Sequence, residues 1–170
     1  MKEQQSISAI RGRFLDVSGC ADSPSEIEGQ VRHLEDGLLL LRNGLIEWFG
    51  DWEEGRQKVP ENCPVINYPG KLIVPGFVDT HLHYPQAEIM GAYGEQLLEW
   101  LENYAFPAEK QYKDEEYAAK MADFFIDQLL RNGTTTAMVF CTVHEESVEA
   151  LFTAAERKNM RIIAGKVLMD

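Results

Sequence analysis

The sequence predicts an α/β protein, with a small β-rich domain over residues 1–70 and alternating strands and helices over residues 71–170. Three observations support this. Short strand-like runs separated by turn residues fill the first segment, and strand and helix periodicities alternate in the second. Two histidines, His81 and His83, end the first strand of the second segment. Side chains two residues apart on a strand lie on the same face, so the pair forms one half of a metal site.

The first segment consists of short strands and turns. Ile7–Val17 alternates loosely between apolar and polar residues, which is typical of a strand with one buried face. Gly37–Leu41 leads into Asn43-Gly44 and a return strand at Leu45–Phe49, and Asn-Gly between two apolar runs is a strong hairpin signal. We therefore expect a small β-rich domain of the β-sandwich type. His33 in this domain is interpreted as an ordinary residue, because the Pro-Cys-x-x-Cys sequence of zinc cytidine-type deaminases is missing.

The second segment alternates strands with helices. The β-branched run Ile73–Val78 predicts a strand that continues to His83, with Pro75-Gly76 as a break or bulge inside it. Asp114 is placed to cap a long helix and Gly133 to follow its end. Thr142–Glu145 resembles a capping box. The further predicted elements are helices at Glu95–Tyr104, Asp114–Asn132 and Glu146–Lys158, and strands at Thr134–Phe140 and Arg161–Leu168.

Strands that alternate with helices indicate a parallel sheet or a barrel. A complete (β/α)8 barrel of the TIM type takes about 250 residues. Only about 100 residues follow Lys71, so roughly three of its eight strands fit. An open three-stranded piece would leave strand edges unpaired. We therefore expect an incomplete barrel, the N-terminal part of a larger fold.

Composition argues against several classes of partner. The chain has 28 acidic and 16 basic residues and a net charge of −12, which opposes binding to nucleic acid or to an anionic membrane. Its apolar runs are too short to cross a bilayer, and Met1–Gln5 leads into no apolar signal segment. Cys20, Cys63 and Cys141 form no CxxC pair, which favours a reducing compartment. We expect a soluble cytoplasmic protein.

The end of the histidine strand is where the residues predict chemistry. In a barrel, active sites lie at the carboxyl ends of the strands, which is where His81 and His83 fall. Asp79 would lie one layer deeper, within range to accept a hydrogen bond from one imidazole. His144 would fall near the same rim, although a role in the first turn of the following helix is the favoured interpretation. Imidazole suits zinc, iron and manganese alike, so these ligands leave the metal open.

The segment Val74–His83 resembles the first-strand signature of the amidohydrolase superfamily of metal-dependent barrels. Further segments resemble the branch of that superfamily whose members hydrolyse guanine to xanthine and ammonia. They are Tyr84-Pro85-Gln86, Leu97–Leu101, Phe106–Glu109 and Asn132–Thr136.

The resemblance implies one Zn²⁺ per site with His81 and His83 as its first two ligands, and a homodimer when complete. It implies that His83, Tyr84, Pro85 and Gln86 line the guanine pocket, with Gln86 contacting the base. An amide carries both donors and an acceptor, which suits a purine edge. Trp100 is expected either beside the base or in a helix core.

In the family pattern, the other metal ligands and the proton-shuttling and purine-contacting residues lie beyond Asp170. We therefore expect no catalytic residue in this chain, and no turnover by it alone. Two alternatives remain open here: another superfamily deaminase with a different purine, pyrimidine or aromatic amine as substrate, and a truncated, non-catalytic fragment.

Overall fold

The computed structural model describes residues 6–20, 22–94 and 96–168. The chain forms two compact units, Met1–Pro75 and Gly76–Asp170. The sequence placed the boundary at residue 70, but residues 71–73 continue the last strand of the first sheet and so lie in the first unit.

The strands of the described first unit form one mixed sheet in the order β3-β2-β1-β4. β1 runs antiparallel to β2 and parallel to β4, and β2 runs antiparallel to β3. The bounds are β1 Ile7–Val17, β2 Val31–Arg42, β3 Leu45–Asp51 and β4 Val65–Ile73, with the short helices α1 Pro24–Ile27 and α2 Trp52–Gly55.

The core of the first unit is small. Ala9, Leu38 and Leu40 are buried, and Trp48, Trp52 and other side chains from β3 to β4 pack against them. Within residues 6–20 and 22–75 the strands form one sheet, whose buried face is covered by the segment joining β3 to β4, so the expected β-sandwich is not confirmed.

The hairpin predicted at Asn43-Gly44 is confirmed. Arg42 pairs with Leu45, and the two residues between them have φ values of 52° and 79°. Positive φ at both central positions defines the type I′ turn, whose twist matches that of the flanking strands.

The single strand predicted through Ile73–Val78 is wrong, because Pro75-Gly76 ends one strand and precedes another. β4 stops at Ile73, which pairs with Phe14 in the first sheet. The next strand, β5, is Phe77–His83 and pairs with residues of the second unit. Proline cannot donate to a strand ladder. At Gly76 a Cβ would lie 2.1 Å from Oγ1 of Thr135, so the close approach requires glycine.

The second unit contains a parallel sheet with strand order β5-β6-β7 in its described residues. Helices α5 and α6 pack on the sheet face that carries Ala137 and Val139. The elements are β6 Thr134–Phe140, β7 Arg161–Gly165, α3 Leu97–Trp100, α4 Phe106–Lys110, α5 Glu115–Arg131 and α6 Glu145–Arg157. A 3₁₀ helix at Tyr84–Ile89 follows β5, and a π-helical turn at Leu101–Ala105 joins α3 to α4. Among the described residues, no helix is long and apolar enough to cross a membrane.

The predicted long helix is confirmed with its caps. The Asp114 side chain accepts a hydrogen bond from the backbone N–H of Tyr117 at 2.8 Å, and Gly133 has φ of 85°. Met121 and Phe125, one turn apart on this helix, are both buried in the core. These local signals suffice because capping depends on residues close in sequence.

Three other predicted boundaries differ from the structure. The capping box is wrong, since α6 begins at Glu145 with His144 as N-cap and no side-chain cap bond. The Thr142 hydroxyl is instead 2.9 Å from the hydroxyl of Ser147 and accepts from the backbone N–H of His144 at 3.0 Å. β7 ends at Gly165 and not at Leu168. The predicted helical stretch begins at Leu97; its predicted first residue, Glu95, lies outside the described residues.

We expect Ser147→Ala to lower the free energy of unfolding by about 1–3 kcal/mol, because a buried N–H loses its partner. Ser147 Oγ accepts from the N–H of Thr142 at 3.1 Å and donates to the carbonyl of His144 at 2.7 Å, and both threonine and serine are fully buried. Urea unfolding monitored by circular dichroism measures the change. The matched control is Thr153→Ala on an exposed position of α6, expected within about 0.5 kcal/mol of the parent. Equal stability of the two variants would contradict the assignment.

Candidate metal centre

The two histidines at the carboxyl end of β5 face each other. Nε2 of His81 lies 3.3 Å from Nε2 of His83. Leu82 between them packs into the helix-covered core, whereas both imidazoles contact Phe140 on the opposite face of the sheet. The predicted common face of the pair is therefore confirmed.

The distance between the imidazoles suits a shared metal ion. Zinc–nitrogen bonds are about 2.0–2.1 Å long, so two nitrogens on neighbouring corners of a tetrahedron are about 3.3–3.4 Å apart. The 3.3 Å separation matches this edge. The side chains present thus fit two ligands of one tetrahedral ion.

Phe140, the last residue of β6, forms the floor beneath the pair. Its ring stacks on His83 with centroids 4.8 Å apart and planes 18° apart, and it lies 5.4 Å from the His81 ring. Sequence reasoning missed Phe140 as a site residue. The available signal was that parallel strands end at the same edge, so the last residue of β6 falls beside the last residue of β5.

The surroundings of His83 favour its neutral form. Burial lowers the pKa of His83, and the neighbouring His81 lowers it further. Neutral imidazole is the form that binds a metal, so no proton has to be displaced from His83 near neutral pH.

Asp79 contacts the backbone and not an imidazole. Its carboxylate accepts a hydrogen bond from the backbone N–H of His81 at 3.1 Å. No hydrogen bond from Asp79 to a histidine ring is seen among the described residues. Asp79 instead holds the main chain of the residue that carries the first imidazole.

A cavity of about 520 Å³ brings the histidines together with two other predicted residues. Gln86 from the 3₁₀ helix and Trp100 from α3 line it, and α5 supplies Phe124, Phe125 and Leu129. The histidine pair and Gln86 therefore line a mostly apolar space, the usual composition of a small-molecule site.

Tyr84 and Pro85 differ from expectation, since both side chains are fully buried and absent from the cavity wall. The Tyr84 hydroxyl lies 3.2 Å from the carbonyl of Ser147, and its ring meets that of Tyr112 edge-on at 4.9 Å. Burial raises the pKa of Tyr84 well above the ordinary tyrosine value. Strand alternation explains the correction, because Tyr84 follows His83 and points to the opposite side.

Glu109 of α4 is a polar neighbour that sequence reasoning did not single out. Burial raises the pKa of Glu109, and the hydrogen bond from Gln86 partly offsets this rise. Twenty-three residues separate the two in sequence, so no local pattern signalled the contact.

The remaining histidines lie apart from the pair. His144 lies at the N-cap position of α6, one residue before its first turn, and is not among the residues lining the cavity. His33 is exposed on β2, with Nε2 3.7 Å from a carboxylate oxygen of Glu35. Within residues 6–20, 22–94 and 96–168 no group of three or more His, Cys, Asp or Glu side chains is placed to hold a metal.

A parallel α/β unit with a histidine pair at the carboxyl end of its first strand is typical of metal-dependent hydrolases. Residues 72–170 match the model of the Amidohydrolase family, which covers more than half of the chain. The chain belongs to the amidohydrolase family.

Within this family, the chain is similar to several guanine deaminases. Guanine deaminase of Escherichia coli K12 is 59% identical over all 170 residues, which make up 39% of that protein. A solved structure of E. coli guanine deaminase matches with a TM-score of 0.90 at 56% identity, covering 97% of this chain and 37% of that one. Guanine deaminase from C. acetobutylicum with guanine bound in its active site matches at 27% identity and a TM-score of 0.78, with the same coverage. The chain thus spans about two fifths of the length of these relatives.

In metal-free protein, we expect the His83 imidazole to titrate below the ordinary histidine pKa of 6.5. The folded protein has the lower pKa, so below pH 6.5 the unfolded chain binds a proton at His83 more readily than the folded protein does. The free energy of unfolding is therefore unaffected by His83 above pH 6.5 and decreases as the pH falls below 6.5. Proton–carbon NMR of the imidazole against pH measures the midpoint. His81→Asn removes the neighbouring charge and should move the midpoint upward; a midpoint at or above 6.5 in the parent protein would contradict this.

Proposed function

We propose that this chain supplies the first metal-binding strand and the base-contacting loop of a guanine deaminase, which hydrolyses guanine to xanthine and ammonia. The observation that carries the proposal is the meeting of His81, His83 and Gln86 at one cavity, with the imidazole nitrogens spaced as two ligands of one ion. The 59% identity to E. coli guanine deaminase selects this activity among those of the family.

In this proposal the Nε2 atoms of His81 and His83 hold a divalent ion, with Zn²⁺ as the first candidate. Such an ion supplies a strong nucleophile from water at neutral pH. Asp79 fixes the backbone of His81, and Phe140 holds the His83 ring from below. A hydrolytic site takes at least three protein ligands, so a further one has to come from outside the described residues.

Gln86 is the proposed contact to the base. It lies three residues beyond His83, and its side chain lines the same cavity. Its amide can donate to a ring nitrogen and accept from a ring N–H, which orients a purine edge toward the metal side. Trp100 and the apolar residues of α5 line the rest of the cavity and reduce the access of bulk water to the base.

The proposal also covers the fold of the whole protein, its cellular compartment and its oligomeric state. The sheet β5-β6-β7 corresponds to the first three strands of a (β/α)8 barrel, supported by the TM-score of 0.90 against E. coli guanine deaminase. The free thiols of Cys20, Cys63 and Cys141 suit a reducing cytoplasm. A homodimer is the proposed assembly, on the resemblance to guanine deaminases alone.

The decisive experiment places residues 1–170 in E. coli guanine deaminase in exchange for the matching segment, and measures xanthine formation and bound zinc. We expect zinc-dependent conversion of guanine. His81→Ala and His83→Ala should each lower kcat/KM by about a thousandfold or more and reduce the zinc content, because an open metal site loses a ligand. His33→Ala, which removes an exposed histidine of the first unit, is the matched control and should retain parent activity.

A folded, zinc-loaded chimera that leaves guanine unchanged would refute the proposed substrate. Unchanged zinc content in both histidine variants would refute the proposed ligands. The same assay on the protein itself then reports its own activity.

A further inference from the structure

The 3₁₀ helix that carries Gln86 joins the histidine strand to the proposed contact with the base. It comprises Tyr84–Ile89 and begins directly after His83. Gln86 and Ile89 line the cavity of the histidine pair, whereas Glu88 between them is exposed and is not among the lining residues. A helix of this length is not stable by itself, so contacts with the rest of the unit decide where Gln86 lies.

Two tyrosines hold the two ends of this helix. The Tyr112 hydroxyl lies 3.4 Å from the backbone carbonyl of Tyr84, the first residue of the helix. The Tyr117 hydroxyl donates a hydrogen bond to the carboxylate of Glu88, one residue before the helix ends, at 2.5 Å. Bonds from a hydroxyl to a carboxylate are about 2.5–2.7 Å long and roughly twice as strong as bonds between neutral groups. The bond to Glu88 is thus the shorter and the stronger of the two.

Tyr117 itself is placed by the first turn of α5. Its backbone N–H donates to the capping carboxylate of Asp114 at 2.8 Å, and its ring meets that of Tyr112 edge-on with centroids 5.1 Å apart. Burial raises the pKa of Tyr117 and the bond to Glu88 raises it further, so the hydroxyl remains a donor at neutral pH. α5 thus holds this hydroxyl in one place, and the bond to Glu88 ties the 3₁₀ helix to it.

We propose that Tyr117 and Glu88 are positioning residues, whose hydrogen bond holds the 3₁₀ helix where Gln86 meets the purine base. The inference rests on the proposed function and extends it to two residues that do not line the cavity. Without the bond, the Gln86 amide can move relative to the imidazole pair. A misplaced binding group weakens the binding of substrate but leaves the metal and its water in place, so the loss falls on KM and not on kcat.

The kinetic test uses the zinc-loaded chimera with E. coli guanine deaminase. Tyr117→Phe removes the hydroxyl but keeps the ring, so the edge-on contact with Tyr112 remains. We expect it to raise KM for guanine by about three- to tenfold, with kcat within about twofold and the zinc content unchanged. Glu88→Ala should have the same effect, because it removes the acceptor of the same bond. Tyr68→Phe, which changes an exposed tyrosine of β4 in the first unit, is the matched control and should match the parent.

Two double variants test whether the bond acts through Gln86. Tyr117→Phe/Glu88→Ala should have a KM within about twofold of either single variant, since both changes break one bond. In the Gln86→Ala background, Tyr117→Phe should raise KM by less than about twofold, because the group that it positions is absent. Effects that multiply in either double variant, or loss of zinc from Tyr117→Phe, would overturn the proposal.

Hydrogen exchange of the same chimera gives a readout that does not depend on turnover of guanine. Mass spectrometry follows the exchange of backbone amides in a peptide that covers Tyr84–Ile89. We expect exchange to accelerate severalfold in Tyr117→Phe and in Glu88→Ala but not in Tyr68→Phe, because the bond no longer opposes local opening of the helix. Unchanged exchange in Tyr117→Phe would overturn the positioning role. Protein that shows the acceleration yet never converts guanine would refute the proposed function and leave the anchoring of the helix intact.

Discussion

Burial of Tyr84 constrains the arrangement at the end of β5. Its ring lies in the core between α5, α6 and the helical segment that leads to Tyr112, and its hydroxyl reaches backbone carbonyls of two helices. Because successive strand side chains point to opposite sides, anchoring Tyr84 in the core directs His83 away from it. His81, two residues before His83, lies on the same face of the strand. One buried aromatic ring therefore determines where the imidazole pair points.

The same ring links the pair to the loop that follows. Tyr84 begins the 3₁₀ helix on which Gln86 lies, and Tyr112 bonds to the Tyr84 carbonyl from the end of the segment that carries Glu109. The histidines and the segment that carries Gln86 thus depend on one cluster of tyrosines. Rigid support of this kind is what a binding site needs to hold small groups within fractions of an ångström.

Local rules predicted part of this arrangement and long-range packing decided the rest. Period-two alternation placed His81 and His83 on one face, and the capping residues Asp114 and Gly133 located the long helix, because both depend on residues near in sequence. The stacking of Phe140 on His83 joins residues from two strands, and the 3.3 Å distance between the imidazoles depends on side-chain rotamers, so neither had a local signal. Tyr84 was expected to line the pocket because His83 and Gln86, its neighbours in the motif, line the cavity. The prediction of one strand across Pro75 was wrong, because a Pro-Gly pair can mark either a bulge within a strand or the end of a strand, and here it separates two strands.

The close approach at Gly76, just before the amino end of β5, affects the position of the histidine pair at the other end of the strand. A side chain there would collide with Thr135 near the start of β6, and the two strands would be wedged apart where they begin. The same two strands end with His83 stacked on Phe140, so the splay would reach the ring that supports the second imidazole. Changes at this glycine would therefore disturb the imidazole pair, although Gly76 lies five residues before His81 and seven before His83.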